Sequence, residues 1–439
     1  MLKTFSKLDE ELGILYYASG PKALKGRLRQ LMEDFIVEEI LHHKPSGGSG
    51  NYTFFTLKKG GIDTNRALLM IARALGLSVD MFNVAGMKDA KALTKQFVTV
   101  RAPPEALASL KVRGVSIEGV ERVSKPLLKR CIRGNLFRVT IRGLRLAKEE
   151  IAEVIKELWQ QVVEFGGLPN YYGYQRFGTV RSNTHKVGKL LVQGRVKDAV
   201  LEFLAHPYPN EARDAYEARK ELSETLDFAK ALKRFPRRLT YEIAMLRHLA
   251  KRSDDYVGAL RRLPLRVLKL FIQAYQSYLF NRVLSSRIEW AGNLRALVDG
   301  DRLQPLNGEG FSFTVTKSSI SEAKAMLNSG RAFLILPVLG FNSLRFEGSY
   351  KPIVKDILEE EGVKLEDFKV SLFPDLRFPG SFRRASVLIK GLVIDEAQPD
   401  EVNEGCLKVR ISYELERGAY ATIFLRELIK PSDPLASGF

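Results

Sequence analysis

Cysteine is nearly missing from this sequence: Cys131 and Cys406 are its only two, in 439 residues. Two thiols cannot build a disulfide framework, and theirs is not a zinc-ligand spacing. Long hydrophobic runs are missing too. A membrane span needs ~18–20 apolar residues. The nearest stretch, Ala67 to Leu77, is broken by Arg73, and Ala332 to Phe341 is too short. Met1 to Glu10 is polar and offers no secretory h-region. There is no HExxH, no CxxC pair, no GxxxxGK[ST] and no GxGxxG opening a helix. Gly188-Lys189 is followed by Leu190 and fails as a phosphate loop. The five histidines are scattered and read as surface or capping residues rather than a metal site. These absences argue against metal- or nucleotide-driven chemistry, so neither a metal nor a cofactor is expected.

Negative charge is also in deficit. Asp and Glu number 51 against 69 Lys and Arg, a formal net charge of +18. A surplus of that size favours a polyanionic partner. That partner is either nucleic acid or an anionic membrane surface; the chain reads as a soluble, cytoplasmic protein that contacts nucleic acid. The hydrophobic fraction, 45%, is ample for a core. At ~150 residues per domain, the length suggests two or three domains.

The N-terminal third reads as mixed α and β. Phe35 to Ile40 and Tyr52 to Lys58 look like strands, with a turn at Pro45 to Gly50 between them. Asp63 or Thr64 caps an expected helix that runs to Leu75 and stops at Gly76. Phe82 to Ala85 and Phe97 to Val100 read as strands. From Phe137 to Arg142, apolar and polar residues alternate with the period of a half-buried strand. A helix from Ala147 to Phe165 follows. The middle is more helical, from Asn183 to Phe235 and from Leu265 to Trp290, with strand-like pieces at Phe311 to Thr316 and Ala332 to Leu339. Leu407 to Tyr413 alternates again, and a helix from Ala419 to Lys430 closes the pattern. The whole suggests one α+β domain interrupted by a large insertion.

Three segments could carry chemistry. Gly86-Met87-Lys88-Asp89 presents a carboxylate at a strand end beside Lys88 and Lys91. From spacing alone that suits first a turn Asp capping a short helix, and second an ionised carboxylate held for nucleophilic attack. Glu121 to Arg145 holds eight Arg or Lys against one acid, suiting either phosphate contacts or a solvated face. Phe137 lies inside that run, either as a core ring or as a ring stacked on a base. Asn170 to Gly178 interleaves aromatics with Asn, Gln and Arg, which suits single-stranded RNA or a plain hairpin.

Together and in this order, these segments resemble the TruD family of tRNA pseudouridine synthases. The motifs are Gly86-Met87-Lys88-Asp89-Ala90-x-Ala92-x-Thr94-x-Gln96 and Asn170-Tyr171-x-Gly173-x-Gln175-Arg176-Phe177-Gly178. Glu33-Asp34-Phe35, Gly134-Asn135-Leu136-Phe137, Ser277 to Asn281, Val298 to Asp301 and Gly418 to Thr422 agree as well. The resemblance runs from about Leu28 to Ile429. It implies a pseudouridine-synthase catalytic domain with a central antiparallel sheet, interrupted by a TruD-type α/β insertion. The expected boundaries are 1–166 and 388–439 for the catalytic domain and 167–387 for the insertion.

The resemblance also implies an activity, the isomerisation of uridine to pseudouridine at position 13 of tRNA, with tRNA as partner and no cofactor. It assigns Asp89 as the catalytic aspartate. It assigns substrate binding to Arg29, Phe35, Asn135, Phe137, Asn170, Gln175 and Arg176. Arg29 stands where the family typically has Lys, so charge is kept while the head group differs. A monomer is favoured. The alternative is a non-catalytic tRNA-binding or RNA-chaperone protein on the same fold. A glycoside hydrolase, which usually needs a second carboxylate, is a weaker reading because no partner for Asp89 stands out.

Overall fold

The computed structural model describes residues 2–306, 311–343 and 348–439. The chain divides into two compact units, Ser19–Leu168 with Val387–Phe439, and Met1–Ala18 with Pro169–Ser386. The sequence placed the boundaries at 166/167 and 387/388 and kept the first residues with the catalytic part. In the structure Met1–Ala18 belongs to the unit that holds the central segment. Leu2–Lys3 pairs there with Tyr16–Tyr17.

The unit containing Asp89 is organised by a nine-stranded sheet. Its strands are β1 (Phe35–Leu41), β2 (Gly47–Lys59), β3 (Phe82–Val84), β4 (Leu93–Val100), β5 (Val115–Val123), β6 (Ile132–Leu144), β7 (Lys390–Ile394), β8 (Gln398–Pro399) and β9 (Leu407–Glu416). The order is β7-β9-β6-β1-β4-β2-β5, with β8 on β9 and β3 on β4. All pairs are antiparallel except β1 with β4. The sheet expected from the sequence is therefore present, with one parallel step.

Opposed residues in adjacent strands point to the same face. One row crosses the sheet as Lys59, Thr94, Val37, Phe137 and Tyr413. Toward one end of this row, the helix Thr64–Leu75 packs on Phe55, Leu57, Val98 and Val100. Each fully buried large apolar side chain there stabilises by about 1.5–3 kcal/mol. Toward the other, the helix Ala421–Ile429 lays Phe424 edge-on against Tyr413, ring centroids 4.9 Å apart. The strip between these helices carries the candidate site.

The helix Thr64–Leu75 starts and stops as its sequence dictates. The Asp63 carboxylate accepts from Arg66 N at 3.0 Å, and Gly76 takes the left-handed turn at φ 67°. The expected turn at Pro45–Gly50 is different. β2 begins at Gly47, with a register shift before Tyr52. A Cβ on Gly50 would sit 2.1 Å from Ser124 Cα, so the glycine-rich stretch lets two backbones close up as a bulge.

The other unit is built on the helix Leu265–Ala291, with Phe271, Ile272, Tyr275, Leu279, Phe280 and Val283 buried along it. The helix Thr184–Val192 crosses close to it, because a Cβ on Gly188 would fall 2.1 Å from Phe271 O. That packing is what Gly188-Lys189 serves. A four-stranded sheet is formed by Phe313–Thr314, Arg302–Pro305, Ala332–Val338 and Ser381–Arg384. The expected strand at Phe311 to Thr316 shrinks to Phe313–Thr314.

Candidate active site

Asp89 lies in the irregular segment between β3 and β4, and its side chain is exposed. No helix follows it, so it is not a helix cap. The loop is fixed from below by its backbone. Lys59 Nζ donates to the carbonyls of Ile62, Lys88 and Asp89 at 2.8, 3.3 and 3.1 Å. Lys88 N donates to Thr64 Oγ1 at 2.9 Å, and Thr64 Oγ1 donates to Gln96 Oε1 at 2.8 Å. The aspartate backbone is thus held while its carboxylate stays available.

The cations around it are specific. Lys59 is buried, and burial draws its ammonium down to about 8, against the pull of Asp63 and Asp89. Arg29 is also drawn down by burial, and the Asp89 carboxylate and Tyr413 oppose that shift. Among the described residues, no cation lies within ion-pair distance of the Asp89 carboxylate. Arg29 takes φ 53°, a strained conformation for a non-glycine residue. Its guanidinium carbon lies 4.1 Å from the centroid of Phe35, and Nη1 donates to Gly438 O at 2.9 Å. Its Nε is buried with no hydrogen-bond partner.

Phe35, Phe137 and Tyr413 form one aromatic cluster. Phe137 meets Phe35 edge-on at 6.2 Å and stacks with Tyr413 at 5.5 Å. Phe137 is only 7% exposed, so the ring belongs to the core as well as to the floor of the site. Asn135, one strand step away on the same face, accepts from Lys88 Nζ at 2.9 Å through Oδ1. Lys88 also pairs with Glu39 at 3.0 Å, and Glu39 Oε2 accepts from Phe97 N at 2.8 Å. Arg29, Phe35, Asp89, Asn135 and Phe137 therefore lie in one compact unit.

Asn170, Gln175 and Arg176 belong to the other unit. Asn170 is buried; its Nδ2 donates to Arg384 O at 3.0 Å and its Oδ1 accepts from Arg383 Nη2 at 2.6 Å. Arg383 covers the Tyr172 ring at 4.1 Å. Arg176 donates to Ser277 Oγ at 3.0 Å. Tyr171, Tyr174 and Phe177 are buried, with Tyr174 OH donating to Asp9 at 2.6 Å. The segment is not a hairpin, and three of its rings, Tyr171, Tyr174 and Phe177, are core.

The basic run needs the same correction. Arg138 and Arg142 point to the face opposite Phe137. Arg138 pairs with Glu38, and the buried Arg142 pairs with Asp34, Asp400 and Glu401. Arg133 pairs with Glu414 at 2.6 Å. These three hold the sheet together, whereas Arg122, Lys125, Lys129, Arg130 and Arg145 are exposed.

Lys59, Glu39 and Tyr413 were not singled out as site residues from the sequence, and Lys88 was named only as a cation beside Asp89. The signal was there for two of them. Phe55, Leu57, Lys59 and Phe35, Val37, Glu39 are period-2 runs that end on a charge at an inward position. Among the described residues, no group of His, Cys, Asp and Glu could hold a metal ion, and no helix is long and apolar enough to cross a membrane.

The chain matches the family model described as tRNA pseudouridine synthase D (TruD) over residues 11–428. It is 34% identical over 430 residues to the probable tRNA pseudouridine synthase D of Methanosarcina mazei, covering 97% of this chain and 98% of that one. The protein of the same name from Methanopyrus kandleri is 39% identical over 385 residues, 87% and 86% of the two chains. A crystal structure of a TruD protein from Methanosarcina mazei superposes with a TM-score of 0.80 at 34% identity, covering 97% of this chain and 98% of that one. With a matched model along nearly its whole length and relatives at this identity, the chain belongs to the tRNA pseudouridine synthase D family.

Proposed function

We propose that this protein isomerises uridine to pseudouridine in tRNA, at position 13, with Asp89 as the catalytic carboxylate. The observation that carries the reading is the Asp89 loop: its backbone is pinned through Lys59 and Thr64, while its carboxylate stays exposed in the unit that also holds Arg29, Phe35, Asn135 and Phe137.

The reaction breaks the C1′–N1 bond and makes a C1′–C5 bond on the same ring. It needs no group donor and no net redox change. A carboxylate must be ionised to act as nucleophile or base. The uracil must leave its stack and be held while detached. Phe137, with Phe35 and Tyr413 behind it, offers an aromatic floor. Asn135 offers its amide. Arg176, Gln175 and Asn170 are proposed to serve tRNA contacts in the other unit, Asn170 through Arg383 rather than directly. The protein is taken to act on tRNA as a cytoplasmic monomer.

The deciding experiment incubates tRNA with purified protein and maps pseudouridine. Asp89→Asn is expected to abolish product at position 13 while tRNA binding stays within about twofold. Normal turnover by Asp89→Asn would refute the assignment.

A further inference from the structure

We infer that the segment Ser437–Phe439 is a positioning element for Arg29, an inference that rests on the proposed role of Arg29 beside Asp89. The segment lies beyond residues 11–428, the stretch matched by the family model. Arg29 stands where the family resembled by the sequence typically has Lys. The two are joined by one hydrogen bond, Arg29 Nη1 to Gly438 O at 2.9 Å.

The chemistry of the two cations explains why they would go together. Lysine presents a compact charge with rotatable donors. Arginine presents a planar fork whose direction matters. The Arg29 fork is set by two contacts at once. Phe35 supports its flat face, and the Gly438 carbonyl takes Nη1. That leaves Nε, buried without a partner, as an unused donor on the same guanidinium whose charge interacts with Asp89.

The segment is built to hold that carbonyl in place. Leu28 N donates to Ser437 O at 2.9 Å, docking it beside the residue that precedes Arg29. Ser437 N, Gly438 N and Phe439 N donate to Asp433 O, Leu435 O and Pro434 O, closing a tight loop. Phe439 is 5% exposed and anchors it. Gly438 has φ 88°, and a Cβ there would lie 2.1 Å from Leu28 O. No other residue fits without moving the segment off Leu28 and Arg29.

The test compares Gly438→Ala, and a chain stopped after Ala436, in Arg29 and Arg29→Lys backgrounds. Steady-state kinetics on tRNA and melting temperature are read for each. With Arg29, both changes are expected to lower kcat tenfold or more, with KM for tRNA within twofold. With Arg29→Lys, the same changes are expected to cost less than twofold, because lysine has no fork to orient. Equal losses in both backgrounds would make the segment merely structural and overturn the inference. So would wild-type kcat in Gly438→Ala while Arg29→Met is inactive, which leaves the role of Arg29 standing. Full activity of Arg29→Met would instead overturn the role of Arg29 and the inference with it.

Discussion

Lys88 Nζ donates to Asn135 Oδ1 at 2.9 Å, and this fixes which way the Asn135 amide faces. The carbonyl side is taken by an ammonium, so Nδ2 is the donor left for another partner. The same ammonium neutralises Glu39, whose side chain is 1% exposed. Asp89 and the residue before it thus divide the work: one side chain is free, and the other organises the strands beneath.

Replacing Lys88 by Met should therefore damage two things separately. Glu39 would be buried without its counter-ion, at a cost of about 3–5 kcal/mol. Asn135 would lose its fixed orientation. The double variant Lys88→Met/Glu39→Leu should recover most of the stability in urea denaturation. It should still turn over tRNA at least tenfold more slowly than wild type. Recovery of activity along with stability would show that Lys88 has no part in ordering the site.

Phe137 is both core and floor, so truncation to Ala would confuse the two roles by costing about 3–5 kcal/mol. Phe137→Leu separates them. It keeps much of the volume packed against Phe35 and Tyr413 and should cost only about 1–2 kcal/mol. It removes the flat ring, for which stacking on a base contributes about 1–3 kcal/mol. The expected result is a melting curve close to wild type with kcat/KM reduced by roughly tenfold or more, the lower part of that stacking range. Unchanged kcat/KM would assign the ring to the core alone.

Lys59 gives the protein a stability slope in mildly alkaline solution. Its ammonium is drawn from the ordinary lysine value of 10.5 down to about 8. Below pH 8 both states hold the proton, and the folded state carries the full cost of burying the charge. Between about pH 8 and 10.5 the unfolded chain binds more protons than the folded one, so stability rises with pH. The shift is worth about 3 kcal/mol at most. Lys59→Met removes this contribution. Relative to that variant, the wild type should gain stability from pH 7.5 to 10.5 in urea titrations. Parallel pH dependences would rule out a depressed Lys59. Activity should fall in the same window, since a neutral amine has two hydrogens for three carbonyls.

What the sequence revealed and what it hid follow one physical division. The alternation of Phe137, Val139 and Ile141 is a local signal, and it identified an interior strand of the sheet. The Asp63 cap and Gly76 stop are local as well, and they delimited a helix correctly. The partners of Arg142 are not local: Asp400 lies 258 positions away. Arg142 therefore read as one more cation in a basic run. The buried rings of Tyr171, Tyr174 and Phe177 show the same limit, because an aromatic that stacks on a base and one that packs on a helix have identical sequence patterns. Tyr413 was visible as an alternating strand residue. Its place behind Phe137 depends on the pairing of β6 with β9, which no local pattern specifies.

The ion pairs sharpen the expectation about salt. A net charge of +18 predicts steeply salt-dependent tRNA binding, but the cations contribute unequally. Arg133 and Arg138 are engaged with Glu414 and Glu38 across the sheet, and Arg142 is buried among three acids. Lys129 and Arg130 are exposed, and no acid pairs with them among the described residues. Each phosphate contact steepens the plot of log affinity against log salt by about 0.7 to 0.9. Lys129→Ala/Arg130→Ala should therefore flatten that slope by roughly 1.5, while Arg138→Ala should leave it nearly unchanged. Filter binding of tRNA from 50 to 300 mM KCl measures both slopes. Equal flattening by the two variants would mean that Arg138 leaves Glu38 for the RNA, and that charge density along the chain was the better guide after all.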